Sequence, residues 1–171
     1  MFPTNFYMYF IIALVPMVVG AAYYHPKVVG GAWMKSNGFI MESLQGGNMA
    51  VIMGVAYLLS FIFCFAQTPL VFHQAAAASL LFPEAFEAGS PEHTDLVAFM
   101  GKYGDRHMTF SHGALHGFMN AIFLVLPVIG IVANFERRGW KYVLIHFGYW
   151  AITLILVGGL ICGTLKYPPF V

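Results

Sequence analysis

Four stretches of this chain, residues 1–24, 46–72, 108–135 and 142–165, are long enough to cross a bilayer and contain no formally charged side chain. A hydrocarbon core about 30 Å thick takes about 20 apolar residues per helical crossing. In that solvent backbone groups must find their partners within the segment, so each stretch is expected as a helix. Composition agrees with another solvent than water. The 171 residues are 60% hydrophobic and 9% charged, with mean hydropathy +0.75, against about 25% charged in a soluble domain. The expectation is an all-α membrane protein, one domain over 1–171. Its four transmembrane helices, at about 5–24, 48–72, 109–135 and 142–165, form an antiparallel bundle, with one extramembrane loop at about 73–107. Pro16, Pro69 and Pro127 fall inside three of these spans, where kinks are tolerated if neighbours satisfy the freed carbonyls.

The third stretch carries His112, His116 and Asn120 in its first turns, each four residues after the last. On an α-helix that spacing keeps them in one polar sector. Gly113 and Gly117 lie beside them as a small-xxx-small pair, and Gly159 and Gly163 repeat the pattern near the end of the fourth stretch. Such pairs let membrane helices touch backbone to backbone. In an antiparallel order the two pairs come to similar depth. The third and fourth helices are therefore expected to pack closely there and to splay toward their connecting turn.

The second helix has Tyr57, Ser60, Cys64, Gln67 and Thr68 on one face, and the fourth has His146, Tyr149 and Thr153 on another. Lipid offers such groups no partner, so both faces are expected to turn inward. Gln67, Thr68, His73, His107, His112, His116 and Asn120 then collect at one end of the bundle. Ionisable residues within a membrane are functional candidates. Histidines at i, i+4 are a common metal-ligand spacing, which makes His112 and His116, with His73, candidate metal ligands. His73 and His116 are also candidate axial ligands of a haem. The plainer reading is interhelical glue at roughly 0.6 kcal/mol per bond; a small-molecule or proton site is the remaining one. No HExxH, CxxC, nucleophile elbow or phosphate loop is present. No catalytic residue is named, and enzyme activity is not expected. His25 and His146, near the opposite end, are a candidate relay pair.

The connections are short except one. Pro26 blocks continuation of the first helix, Gly30–Gly31 are expected to turn, and residues 32–35, ended by Asn37–Gly38, are expected as a short interfacial helix. In the long loop, residues 75–82 have helix propensity and enough apolar character to lie along the interface. Ser90-Pro91-Glu92 then starts another helix, running to Lys102 and stopping near Gly104. Glu84, Glu87, Glu92, Asp95 and Asp105 are read as a solvated face.

A net charge of +1 with no basic run excludes a nucleic-acid partner. Cys64 and Cys162 both fall inside spans and form no disulfide framework. No Lys or Arg precedes the first apolar core, so the first helix is expected to stay in the mature protein rather than act as a signal peptide. Lys27, Lys35, Arg137, Arg138 and Lys141 lie on the first and third connections, against Lys102, Arg106 and Lys166 on the other side. The positive-inside rule sets the first and third connections in the cytoplasm and both termini outside.

Residues 23–35, YYHPKVVGGAWMK, resemble the signature that follows the first helix in a bacterial membrane family catalogued as domain of unknown function 1761. His116-Gly117, residues 134–138 and Gly148-Tyr149-Trp150 extend the likeness over most of the chain except the acidic loop. Tyr23 stands where the family usually has Trp, and Val29 where it usually has Phe; both keep an apolar anchor. The resemblance implies a small four-helix protein of the bacterial inner membrane, with Tyr24, Pro26, Gly30 and Trp33 forming a corner at the bilayer interface. It implies no activity. The partners expected are membrane lipids and other membrane protein subunits, and the leading expectation is a non-catalytic accessory or scaffold subunit. The alternative is a small transporter, or a metal- or haem-binding membrane protein using the histidines.

Overall fold

A computed structural model describes residues 3–168; it is built from helices, with no strand among the described residues. The long helices are α1 (Met8–Tyr23), α3 (Met49–Val71), α6 (Phe110–Phe135) and α7 (Trp140–Thr164). Three short ones lie in the connections: α2 (Gly31–Asn37), α4 (Gln74–Leu80) and α5 (Pro91–Tyr103).

Three of the long helices, α3, α6 and α7, are each long and apolar enough to cross a membrane. The first expected span differs. α1 reaches that length only together with the following helical run, Pro26–Asn37, from which it is bent by 52°. The pair has the form of a broken span or a re-entrant loop, so the described residues hold three candidate spans, or four if the bent pair is one. Separately, within α1 Pro16 has no N–H for the carbonyl of Ile12, and the helix loosens between Ile12 and Val15.

The corner after α1 corrects the expected Gly30–Gly31 turn. His25 is extended and its Nδ1 accepts from the Lys27 N–H at 3.2 Å. The chain then winds through a wide π-helical turn, Pro26–Gly30, straight into α2. Gly30 is required by close approach rather than by a turn: a Cβ there would collide with the Tyr24 carbonyl oxygen. The true left-handed position is Gly38, which ends α2 at φ 70°.

α7 is the axis. In its most apolar stretch 44% of residues are buried, against 11% in α3 and in α6. Tyr9, Ile12 and Ala13 of α1, Cys64 and Val71 of α3 and Val157, Ile161 and Cys162 of α7 share one core. The inward face of α3 is Ser60, Cys64, Gln67 and Val71, while Leu58, Leu59 and Ile62 stay exposed on its other side. Alongside the bundle, α4 and α5 close a small second core of Ala78, Ala85, Leu96 and Met100. Ser90 caps α5 by accepting from the His93 N–H at 2.9 Å. Phe82–Pro83 is a cis peptide.

α6 lies directly on α7. A Cβ on Gly113 would strike the Gly158 carbonyl oxygen, and one on Gly117 the Leu154 carbonyl oxygen. The small residue opposite Gly113 is thus Gly158. Gly159 and Gly163 face Phe110 instead, the first against its ring and the second against its backbone. Close approach depends on the rotation of each helix about its axis, which a run of small residues at 158, 159 and 163 does not settle. Further on, α6 widens into a π-helical segment, Ala121–Val125, just before Pro127.

Candidate metal centre

The first turns of α6 hold two of the candidate ligands. Thr109 caps the helix, its hydroxyl accepting from the His112 N–H at 3.3 Å. His112 and His116 follow on one face, their rings 4.5 Å apart. The third comes from α3. The amide of Asn120 donates to Gln67 Oε1 at 3.0 Å, which fixes α3 against α6. Four residues later α3 ends, and His73, six residues beyond Gln67, sits at the junction with α4 over the two α6 histidines.

The three rings converge through the same atom. His73 Nε2 is 3.1 Å from His112 Nε2 and 3.1 Å from His116 Nε2. All three nitrogens lie within 4.8 Å of one another. Hydrogen bonding alone does not account for this. A neutral imidazole nitrogen has either one N–H or one lone pair, so His73 Nε2 cannot make a full bond to both partners. A cation among them would use all three lone pairs at once. With zinc–nitrogen bonds of about 2.0–2.1 Å, two ligands of a tetrahedral ion sit about 3.3 Å apart. Both spacings from His73, at 3.1 Å, are close to that value. His73 is exposed, and His112 and His116 are half-buried, so an ion here keeps a face toward the outside. The nitrogens are all borderline donors, suited to zinc, copper, nickel or iron(II).

Haem fits poorly. Its axial nitrogens lie on opposite faces of a porphyrin, and no ring passes between His73 and His116 at 3.1 Å.

The other polar residues are dispersed or engaged. Thr68 shares a 2.7 Å hydrogen bond with the Tyr9 hydroxyl. His107 stacks on His112, ring centres 4.7 Å apart and planes 21° from parallel. At the far end of α7 the candidate His25–His146 relay pair is not formed. His146 Nδ1 instead meets the Tyr24 hydroxyl at 3.2 Å, and His25 is occupied with its own turn. The corner residues gather there too: Trp33 packs on Tyr24 at 5.4 Å, above Pro26 and Gly30 in the π-helical turn.

Sequence reasoning missed Gln74. It is buried, and its Nε2 donates to the carbonyls of Gly104 at 2.7 Å and Arg106 at 2.9 Å, tying the loop before α6 to the residue after His73. Beside it, His73, Gln74, Ala77, Phe99, Tyr103, Arg106 and His107 enclose a cavity of about 270 Å³. A polar residue just after a long apolar span was the available signal for Gln74.

Membrane-length apolar helices packed on a central α7, with three histidine nitrogens converging at one end, define a small helical protein of membrane type. The chain belongs to the family described as "Protein of unknown function (DUF1761)", which matches residues 7–162. No curated protein and no solved structure matches it.

Proposed function

We propose that this chain is a multi-pass membrane protein that binds a transition-metal ion through His73, His112 and His116. The observation that carries the reading is the meeting of three Nε2 atoms, with both distances from His73 at 3.1 Å. Histidine glue would pair these nitrogens; it would not focus them. As they stand, these three ligands leave a fourth position free.

In the bilayer, α1, α3, α6 and α7 supply four antiparallel crossings, and α2, bent away from α1 by 52°, lies with α4 along the interfaces. Thr4 and Asn5, just before α1, bond to the end of α7, and both lie toward the histidine end of the bundle. The basic residues of the first and third connections favour that side as the outer face of a bacterial inner membrane. An accessory or scaffold role is the alternative. It is supported by the exposed apolar surface of α3, such as Leu58 and Leu59, which a partner subunit can cover as well as lipid can.

The test is purification from the native membrane in mild detergent, followed by metal analysis, zinc titration and native mass spectrometry. One ion per chain, lost in His73→Ala, His112→Ala and His116→Ala, is expected. A folded protein that takes up no zinc, cobalt, nickel or copper would sink the metal reading, and fixed-ratio partners would move the weight to the accessory role.

A further inference from the structure

We propose that His107 is the fourth ligand of this centre, so that on metal binding four imidazoles surround the ion and the open face closes. The inference rests on the three-histidine reading above and adds a residue and a closing movement to it.

His107 is held beside the site in a backbone conformation uncommon for a residue other than glycine. Its φ is +66°, the left-handed region, and among the described non-glycine residues only Arg137 shares that sign. Glycine or asparagine would sit there at less cost. Non-glycine residues in this region are kept where the surrounding structure over-determines them, and such positions cluster at functional sites.

The surroundings fix this one from both sides. The buried Gln74 amide holds the carbonyls of Gly104 and Arg106, and Gln74 directly follows His73. On the other side the Thr109 N–H donates to the His107 carbonyl at 2.8 Å, and Thr109 is the cap that starts the His112–His116 face. The backbone of His107 is therefore strung between the ligand from α3 and the two from α6.

Its ring is near the centre but not yet in it. It lies flat on His112 at 4.7 Å, and no nitrogen of His107 joins the group within 4.8 Å. His107 and His73 line the same cavity of about 270 Å³. Rotation of the His107 side chain through that space, toward the exposed side of His73, is the movement required. Zinc held by four protein ligands is closed to water and exogenous anions, whereas three ligands leave a position for them.

The test uses the full chain in detergent, loaded with cobalt(II) as a spectroscopic probe and with zinc for affinity. His107→Asn and His107→Gly both accept a left-handed backbone, so thermal unfolding without metal should match or exceed that of the unsubstituted protein. X-ray absorption should give four nitrogen neighbours, and added azide should leave the cobalt spectrum unchanged. Each variant should still bind one ion, more than about tenfold more weakly, and its cobalt spectrum should now shift with azide. Variants with unaltered affinity and spectrum, or an unsubstituted protein whose cobalt takes azide, would overturn the role of His107 and leave the three-histidine site standing. No metal bound to the unsubstituted protein would overturn both.

Discussion

The side-chain amide of Asn120 donates to Gln67 Oε1 across 3.0 Å, one helical turn beyond His116, and so joins α6 to α3 next to the histidine cluster. Gln67 is 6% exposed. Removing one partner leaves the other buried and unsatisfied, at a cost of about 1–3 kcal/mol. The Gln67→Leu, Asn120→Leu pair should therefore destabilise less than the sum of its two singles. A double-mutant cycle on detergent unfolding measures this, and simple additivity would deny the coupling.

The glycines of α6 make a sharper contrast. Gly117 has no room for a Cβ because the carbonyl oxygen of Leu154 occupies that space, whereas Gly54 and Gly130 have nothing within 4 Å. Gly117→Ala must push the α6 and α7 backbones away from each other and is expected to lose about 1–3 kcal/mol. Gly54→Ala adds a methyl group to open space in a helix and should be neutral or slightly stabilising. Melting temperatures of the two variants, side by side, check the approach of α6 to α7.

An ion bound only by the folded bundle stabilises it by mass action. At a free zinc concentration one hundred times the dissociation constant the gain is about 2.7 kcal/mol. Thermal unfolding should rise with zinc in the unsubstituted protein and stay flat in His116→Ala. A rise of equal size in both would place the zinc elsewhere.

Gly30→Ala tests the corner. Its Cβ would meet the Tyr24 carbonyl oxygen inside the π-helical turn, with His25 backbone at 2.9 Å. The turn must open, and the Tyr24 hydroxyl should leave His146. A loss of about 1–3 kcal/mol is expected, while Gly31→Ala, whose nearest neighbour is 3.8 Å away, should cost little.

The long helices are legible because length without charge leaves a segment few other structures in hydrocarbon. α3, α6 and α7 appear where the apolar runs lie, and the Ser90 and Asn37–Gly38 punctuation marks real helix ends. Spacing also singles out His112 and His116, since i, i+4 fixes a shared face whatever packs on it. What spacing cannot supply is rotation and long-range pairing. Gly158 rather than Gly159 meets Gly113 because α7 is turned by one residue from the expected face. Gln74 reaches Gly104 across 30 positions of sequence, and no local pattern announces such a bond. The bend after α1 escapes a local reading for a related reason. Gly30 looks like turn punctuation, but its task is to let successive turns of one wide helical corner touch.

Asn5 and the end of α7 form a reciprocal clasp, the Asn5 amide donating to the Thr164 carbonyl at 2.8 Å and its oxygen accepting from the Lys166 N–H at 2.8 Å. Thr4 adds a backbone bond to Lys166 at 2.7 Å. The helices consequently close into a circuit, and covalent order is one of several that the same packing would accept. A circular permutant spliced across Thr4 and Lys166 and opened in the turn between α6 and α7 would begin on the opposite face of the membrane. It would ask whether the histidine cluster assembles by its place in space or by the order in which its helices are made.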